Sequence, residues 1–151
     1  MSIPIHFAPL QGYTDDVYRR IHHTLVGGIN TYYTPFLRME GGSVRSKDMR
    51  DIRPEFNNDI PVVPQIILKS MKEFEFLTGV VEEKGYTRID INMGCPFPMQ
   101  AKHGRGSGLL SKVNIIEEMA QEIGRKTHLK FSVKMRLGWE NKDEWRPVLE
   151  I

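Results

Sequence analysis

The chain has 151 residues, 40% of them hydrophobic and 26% charged, which is typical of about one globular domain and excludes a wholly disordered protein. Its 21 basic and 19 acidic residues give a net charge of +2, which neither requires nor excludes a nucleic-acid partner. The single cysteine, Cys95, excludes an internal disulfide and a multi-cysteine zinc site. No apolar run approaches the roughly 20 residues of a membrane span, so we expect a soluble cytoplasmic protein.

The N-terminal segment predicts one strand and one helix. Residues 5–9 are short and apolar and predict a buried strand. Thr14 is expected to cap the helix that follows. The predicted apolar face of this helix consists of Val17, Ile21 and Leu25.

The middle of the chain continues this alternation. Residues 30–34 predict a strand, and the stretch to residue 54 predicts a loop with a short helix. Residues 61–68 predict a strand that is apolar on both faces, which makes its polar Gln65 conspicuous. A capping box at residues 70–73 then begins a helix. The predicted apolar face of that helix is Phe74, Leu77 and Val81.

Two further strands are predicted at residues 88–92 and 130–135, separated by a glycine-bearing loop and a helix. The apolar face of that helix is predicted to be Val113, Ile116, Ala120 and Ile123. Strands and helices that alternate about every 30 residues indicate parallel strands with right-handed crossovers. The predicted fold class is α/β, an incomplete (β/α)₈ TIM barrel. A complete barrel takes about 250 residues, so residues 1–151 would hold about five of its eight units.

The densest group of chemically useful residues is the segment 90–96, at the end of a predicted strand, where parallel barrels place their active sites. A thiol has a typical pKa of about 8.5 and can deliver a proton at neutral pH. A lone cysteine is more often a small buried hydrophobe. The Asn-x-Gly-Cys-Pro context at a strand end nevertheless favours Cys95 as a general acid.

Basic residues accompany two later motifs. Lys102 precedes a run of alternating glycines and Arg105 lies within it, so both could meet phosphates. The run nevertheless fails as a dinucleotide fingerprint, and a flexible surface loop is the simpler interpretation. Lys134 and Arg136 lie two residues apart on one side of a strand and could face a common anionic ligand. The alternative for this pair is a solvated edge with salt bridges. The five histidines show no ligand spacing with carboxylates, so no metal site is predicted.

Taken together, these motifs resemble those of the tRNA-dihydrouridine synthase family. The matching segments are residues 8–15, 64–65, 92–96, 102–110 and 133–138. Each match is weak alone, but their order and spacing are specific. The Gly-Cys-Pro element separates this family from related flavin barrels such as dihydroorotate dehydrogenases.

The resemblance implies an FMN cofactor, reduced by NADPH, whose hydride goes to C6 of a tRNA uridine while Cys95 protonates C5. It further implies that Pro9, Gln65 and Lys134 contact the flavin. Asn92, Lys102 and Arg136 would bind the substrate.

The resemblance also implies strands and a C-terminal helical domain beyond residue 151, so this stretch alone is expected to be inactive and to hold FMN poorly. Two other interpretations stay open. One is a different FMN-barrel oxidoreductase that acts on a small molecule. The other is a non-catalytic half-barrel that binds RNA or forms a homo-oligomer through its open sheet edges.

Overall fold

A computed structural model describes residues 3–151, apart from the side chain of Lys126. The strands within this range are β1 (His6–Phe7), β2 (Thr31–Tyr33), β3 (Met39–Glu40), β4 (Ser43–Val44), β5 (Val62–Val63), β6 (Gln65–Ile66), β7 (Arg88–Met93) and β8 (Lys130–Met135). The helices are α1 (Asp16–Leu25), α2 (Ser46–Arg50), α3 (Pro54–Asn57), α4 (Met71–Glu83), α5 (Pro98–Ala101), α6 (Val113–Lys126) and α7 (Trp145–Leu149), with a 3₁₀ turn at Gly106–Leu109. None of these helices has the length and apolar character that a bilayer span needs.

Six of these strands form two parallel sheets in the orders β1-β2-β5 and β6-β7-β8. The predicted α/β class with parallel strands is therefore confirmed. The single strand predicted at residues 61–68 is instead two short strands separated by Pro64. A proline has no N–H to donate to a ladder. Its carbonyl still accepts the N–H of Asp90 at 2.9 Å, and Leu37 pairs with Ile66, so backbone bonds link the two sheets.

Helices α4 and α6 pack against the sheet β6-β7-β8 and complete the apolar core. The predicted cap of α4 is confirmed in part: the Ser70 hydroxyl accepts the N–H of Glu73 at 3.4 Å, but the Glu73 carboxylate accepts the N–H of Lys69, one residue before the N-cap, where a capping box would use that of Ser70. The predicted face of α4, Phe74, Leu77 and Val81, is buried. In α6 the prediction is partly wrong, since Ala120 is exposed and Met119 takes the buried position beside Ile116. Each fully buried large apolar side chain contributes roughly 1.5–3 kcal/mol.

The segment between β2 and β5 contains more structure than the predicted loop with one helix. Strands β3 and β4 pair as an antiparallel hairpin, and both turn residues, Gly41 and Gly42, have positive φ angles of 59° and 84°. Glycine adopts this conformation without strain, which suits a two-residue hairpin turn. Helices α2 and α3 follow the hairpin.

Helix α1 begins one residue later than predicted. Asp15 is the N-cap, and its carboxylate accepts the N–H of Tyr18 at 3.0 Å. The Thr14 hydroxyl instead accepts the N–H of Leu10 at 2.9 Å, which closes the loop before the helix. A carboxylate at the N-cap also complements the positive end of the helix dipole.

The face of α1 that was predicted to be buried is exposed, so this prediction is wrong. Ile21 is 54% exposed and Leu25 78% exposed, and Val17 is exposed with them. The buried side chains of α1 are Asp16 and Arg19. These two side chains pack against polar residues of α2 and α3. Among the residues that the structure describes, none covers the apolar stripe of α1.

Candidate active site

A cavity of about 230 Å³ opens where the carboxyl ends of β6, β7 and β8 meet the loops after β1 and β2. Five residues that sequence reasoning assigned to the site lie in its wall. The lining residues are Pro9, Leu10, Gln11, Phe36, Gln65, Asn92, Gly94, Cys95, Pro96 and Lys134. A neighbouring cavity of about 240 Å³ shares Pro9 and Lys134 with it. The parallel strands thus bring together residues from five separate segments of the chain.

Buried polar side chains line the sheet beneath this cavity. Gln65, Asp90 and Ser132 are directly opposite one another on β6, β7 and β8. The Gln65 amide donates to Asp90 Oδ2 at 2.7 Å, and the Ser132 hydroxyl donates to Asp90 Oδ1 at 2.6 Å. Gln65 is fully buried, so its polarity within an apolar strand is satisfied by neighbouring side chains.

Asn92 connects this sheet to the loop that carries the thiol. Its amide donates to Gln65 Oε1 at 2.8 Å. Its Oδ1 accepts the N–H of Gly94 at 3.1 Å and that of Cys95 at 2.9 Å. Asparagine favours this turn because its side chain can hydrogen-bond backbone two residues on. Asn92 therefore holds the turn that aims residue 95.

Cys95 is half-buried in the cavity wall, outside the apolar core. Its carbonyl accepts both the N–H and the hydroxyl of Ser107 at 3.0 Å. Gly94 lets the loop pass close to β8, because a Cβ there would lie 3.4 Å from the carbonyl oxygen of Lys134. The thiol thus stands at a strand end on a loop held from both sides.

The glycine run after α5 serves this loop directly, which corrects the expectation of a flexible surface loop. Gly106 and Gly108 are buried. A Cβ at Gly106 would lie 2.7 Å from the Cys95 carbonyl oxygen, and one at Gly108 would lie 2.0 Å from that of Ala101. The two glycines therefore allow this segment to pack closely against the backbone of Cys95 and Ala101.

Arg105 is also engaged within the protein instead of facing a phosphate. Its guanidinium makes a bidentate pair with Glu73, with distances of 2.6 and 3.2 Å. Glu73 is buried at the start of α4, and its Oε2 also accepts the N–H of Lys69 at 3.0 Å. This pair ties the glycine run to α4.

The electrostatics of the site centre on Asp90. Burial raises the pKa of this carboxyl, while the hydrogen bonds from Ser132 and Gln65 and the charge of Lys134 oppose the rise. Lys134 lies at the exposed side of the cavity. Within residues 3–151 no group of three or more His, Cys, Asp or Glu side chains is placed to hold a metal ion.

Residues 6–151 match the family model described as dihydrouridine synthase. The chain belongs to the dihydrouridine synthase family. A probable tRNA-dihydrouridine synthase 2 of Bacillus subtilis is 34% identical over 144 residues, which cover 94% of this chain and 44% of that relative. A probable tRNA-dihydrouridine synthase of Staphylococcus epidermidis is 30% identical over 146 residues, which cover 95% of this chain and 44% of that relative. The chain thus spans less than half the length of these curated relatives.

Two residues assigned by motif lie outside the 230 Å³ cavity. Lys102 is exposed at the end of α5. Arg136 is exposed just beyond β8 and lines a larger neighbouring cavity of about 790 Å³ with Trp139 and Trp145. Their positions leave both cations accessible to a large substrate but separate from the group around Cys95.

Sequence reasoning included Asp90 in its densest segment but gave no role in the site to Asp90, Ser132 or Ser107. Asp90 and Asn92 are two residues apart on one strand, so they share a face. Ser132 and Lys134 have the same relation on β8. The two-residue spacing could have predicted that these polar side chains share one face of the sheet. The contact of Ser107 with Cys95 depends on the conformation of the loop, which sequence spacing does not predict.

Proposed function

We propose that this protein takes part in the reduction of uridine in tRNA to dihydrouridine, with Cys95 as the general acid that protonates C5. The observation that carries the proposal is the half-buried thiol at the end of β7, in a cavity lined by Gln65, Asn92 and Lys134. A proton donor must lie within hydrogen-bond reach of the atom it protonates. The loop contacts of Asn92 and Ser107 give the thiol a defined position for that purpose.

The residues present fit FMN as the cofactor. The two adjoining cavities combine apolar walls with a few polar groups, which suits a ring that has apolar faces and a polar edge. Pro9 would pack on the ring, and Lys134 and Gln65 would meet its polar edge. Bound FMN, reduced by NADPH, would supply the hydride for C6 of uridine.

A tRNA uridine must leave its base stack to reach this cavity, at a cost of about a few kcal/mol. Asn92 would face the uracil, and the exposed cations Lys102 and Arg136 would contact RNA phosphates on either side. Such contacts weaken with added salt because phosphate binding releases counterions.

The same proposal extends to the architecture and location. The five segments β1, β2, β5–β6, β7 and β8 would be the first five strands of a (β/α)₈ barrel, whose active site lies at the carboxyl ends of its strands. A cytoplasmic protein would meet both NADPH and tRNA.

The test is dihydrouridine formation on tRNA by the FMN-loaded protein extended over the full length of its relatives, and by its Cys95→Ala variant. We expect Cys95→Ala to lower the rate by about 10²–10⁴-fold, the usual contribution of a positioned general acid, with flavin and tRNA binding retained. Cys95→Ser is the matched variant and should stay slow, because a hydroxyl is a much weaker acid than a thiol. An unchanged rate in Cys95→Ala would remove Cys95 from the reaction.

A further inference from the structure

The polar side chains beneath the candidate active site form one continuous chain of hydrogen bonds. It runs from Ser132 on β8 through Asp90 and Gln65 to Asn92, and ends at the N–H groups of Gly94 and Cys95. Asp90, Gln65 and Asn92 are each less than 10% exposed. These hydrogen bonds therefore join three strands to the loop of the thiol, and the three middle side chains are shielded from water.

The donors and acceptors in this series of hydrogen bonds follow one order, and the Asp90 carboxylate determines that order. An ionised carboxylate only accepts hydrogen bonds, so Gln65 must turn its NH₂ group toward Asp90. The Gln65 carbonyl oxygen then faces Asn92, which must respond with its own NH₂ group. Asn92 Oδ1 is left to face the backbone N–H groups of Gly94 and Cys95.

If the Gln65 and Asn92 amides were both turned over, the hydrogen bonds to the thiol loop would be lost. Asn92 would then present NH₂ to two backbone donors, and those N–H groups would be left without a partner beside the cavity. A donor that loses its partner where little water can replace it destabilises that conformation. The carboxylate on the middle strand thus acts on the thiol loop through two intervening amides.

We infer that Asp90 is a positioning residue for Cys95, because its carboxylate orients the Gln65 and Asn92 amides that hold the thiol loop. The inference rests on the proposed function only for the role of the thiol. Its observable consequence is the protection of the Gly94 and Cys95 N–H groups from hydrogen exchange, which needs neither flavin nor RNA.

The test exchanges the carboxylate of Asp90 and the amide of Gln65 between these two positions. Gln65→Glu places a second carboxylate against Asp90, and the pair needs a shared proton to stay together. We expect the protection of Gly94 and Cys95 to fall at least about tenfold at pH 8 and to recover within about threefold of the parent at pH 5. We expect Asp90→Asn alone to lower the protection of the Gly94 and Cys95 N–H groups severalfold.

The double variant Gln65→Glu with Asp90→Asn restores the pattern. The amide introduced on β7 can donate to the carboxylate introduced on β6 and still accept from Ser132, and that carboxylate still accepts from Asn92. We expect the protection of Gly94 and Cys95 to be within about threefold of the parent at both pH values. The N–H of Tyr32, bonded to Pro61 at 2.8 Å, is the internal reference for general loss of stability.

If Gln65→Glu alone does not fold but the double variant does, the second substitution has restored the hydrogen-bond pattern, and this result would also support the inference. A double variant less protected than Gln65→Glu, a loss in Gln65→Glu independent of pH, or a failure of both variants to fold would overturn it. Dihydrouridine formation by the protein extended over the full length of its relatives tests the proposed function separately, so the two ideas can fail independently.

Discussion

The backbone at Gly106 passes closer to the thiol loop than a residue with a side chain could. Gly106 has a φ of +57°, and a Cβ there would lie 2.7 Å from the Cys95 carbonyl oxygen and 2.9 Å from the Cys95 Cβ. The neighbouring Ser107 donates both its N–H and its hydroxyl to that same carbonyl. The position of the thiol therefore depends on a residue eleven positions away that has no side chain to contribute.

We predict that Gly106→Ala displaces the Cys95 loop and lowers the free energy of unfolding by about 1–3 kcal/mol, because it combines backbone strain with a steric clash. The matched control is Gly124→Ala in α6, where an added Cβ has no atom within 4 Å. That change should stabilise the protein by about 0.5–1 kcal/mol, since alanine is the better helix former. Urea unfolding of both variants checks the contrast, and equal effects would contradict it.

At the scale of elements, one ion pair connects a helix start to the loop that packs on the thiol segment. Glu73 lies in the first turn of α4, where a carboxylate also complements the helix dipole. Its partner Arg105 directly precedes the 3₁₀ turn at Gly106–Leu109, and the side chains of Glu73 and Arg105 are 3% and 14% exposed. Because little water reaches the pair, loss of one member leaves a poorly solvated charge.

We predict that Glu73→Gln lowers the free energy of unfolding by about 2–4 kcal/mol, since a buried charge would lose its partner. Asp143→Asn is the matched acid-to-amide control. Asp143 pairs with Arg146 at 3.1 Å, but the two side chains are 45% and 63% exposed. An exposed pair contributes less than about 1 kcal/mol. Thermal unfolding compares them, and a larger loss in Asp143→Asn would refute the assignment.

At the scale of the whole molecule, a second buried polar cluster lies on the far side of α1 from its exposed apolar stripe. The Arg19 guanidinium is fully buried and donates to the carbonyls of Thr14 and Asp51 at 2.8 and 2.7 Å. The Asp51 carboxylate accepts the N–H of Asp16 at 3.0 Å and lies 3.8 Å from Arg19. Burial raises the pKa of Asp51 from 3.8 to about 6, against the opposing charges of Arg19 and Arg50.

The raised pKa makes stability depend on pH. Between pH 4 and 6 the folded state holds a proton on Asp51 that the unfolded state has released, so the free energy of unfolding falls as the pH rises. We expect a fall of up to about 3 kcal/mol across this range, as one pKa unit corresponds to about 1.4 kcal/mol. Asp51→Asn should flatten this part of the curve.

The control for the pH effect is Asp59→Asn, which changes an exposed carboxyl close in sequence. Denaturant unfolding of the parent and both variants at several pH values measures the slope. A parent curve that rises between pH 4 and 6, or an unchanged slope in Asp51→Asn, would show that Asp51 does not titrate in this way.

The sequence by itself determined the alternation of strands and helices, the cap and face of α4, the strand at residues 130–135 and the place of Cys95 at a strand end. These features depend on periodicity and on contacts a few residues apart, which sequence spacing records directly. The family motifs likewise predicted that Pro9, Gln65, Asn92, Cys95 and Lys134 would converge.

Only the tertiary structure decided which polar groups meet and which faces are buried. The bonds of Asp90 to Gln65 and Ser132 join residues 25 and 42 positions apart, and they exist because parallel strands align them. The same holds for α1, where the cluster around Arg19 buries the polar side and leaves Leu25 exposed. A hydrogen bond needs its donor and acceptor within about 3 Å, and a local sequence pattern does not specify that distance between separate segments.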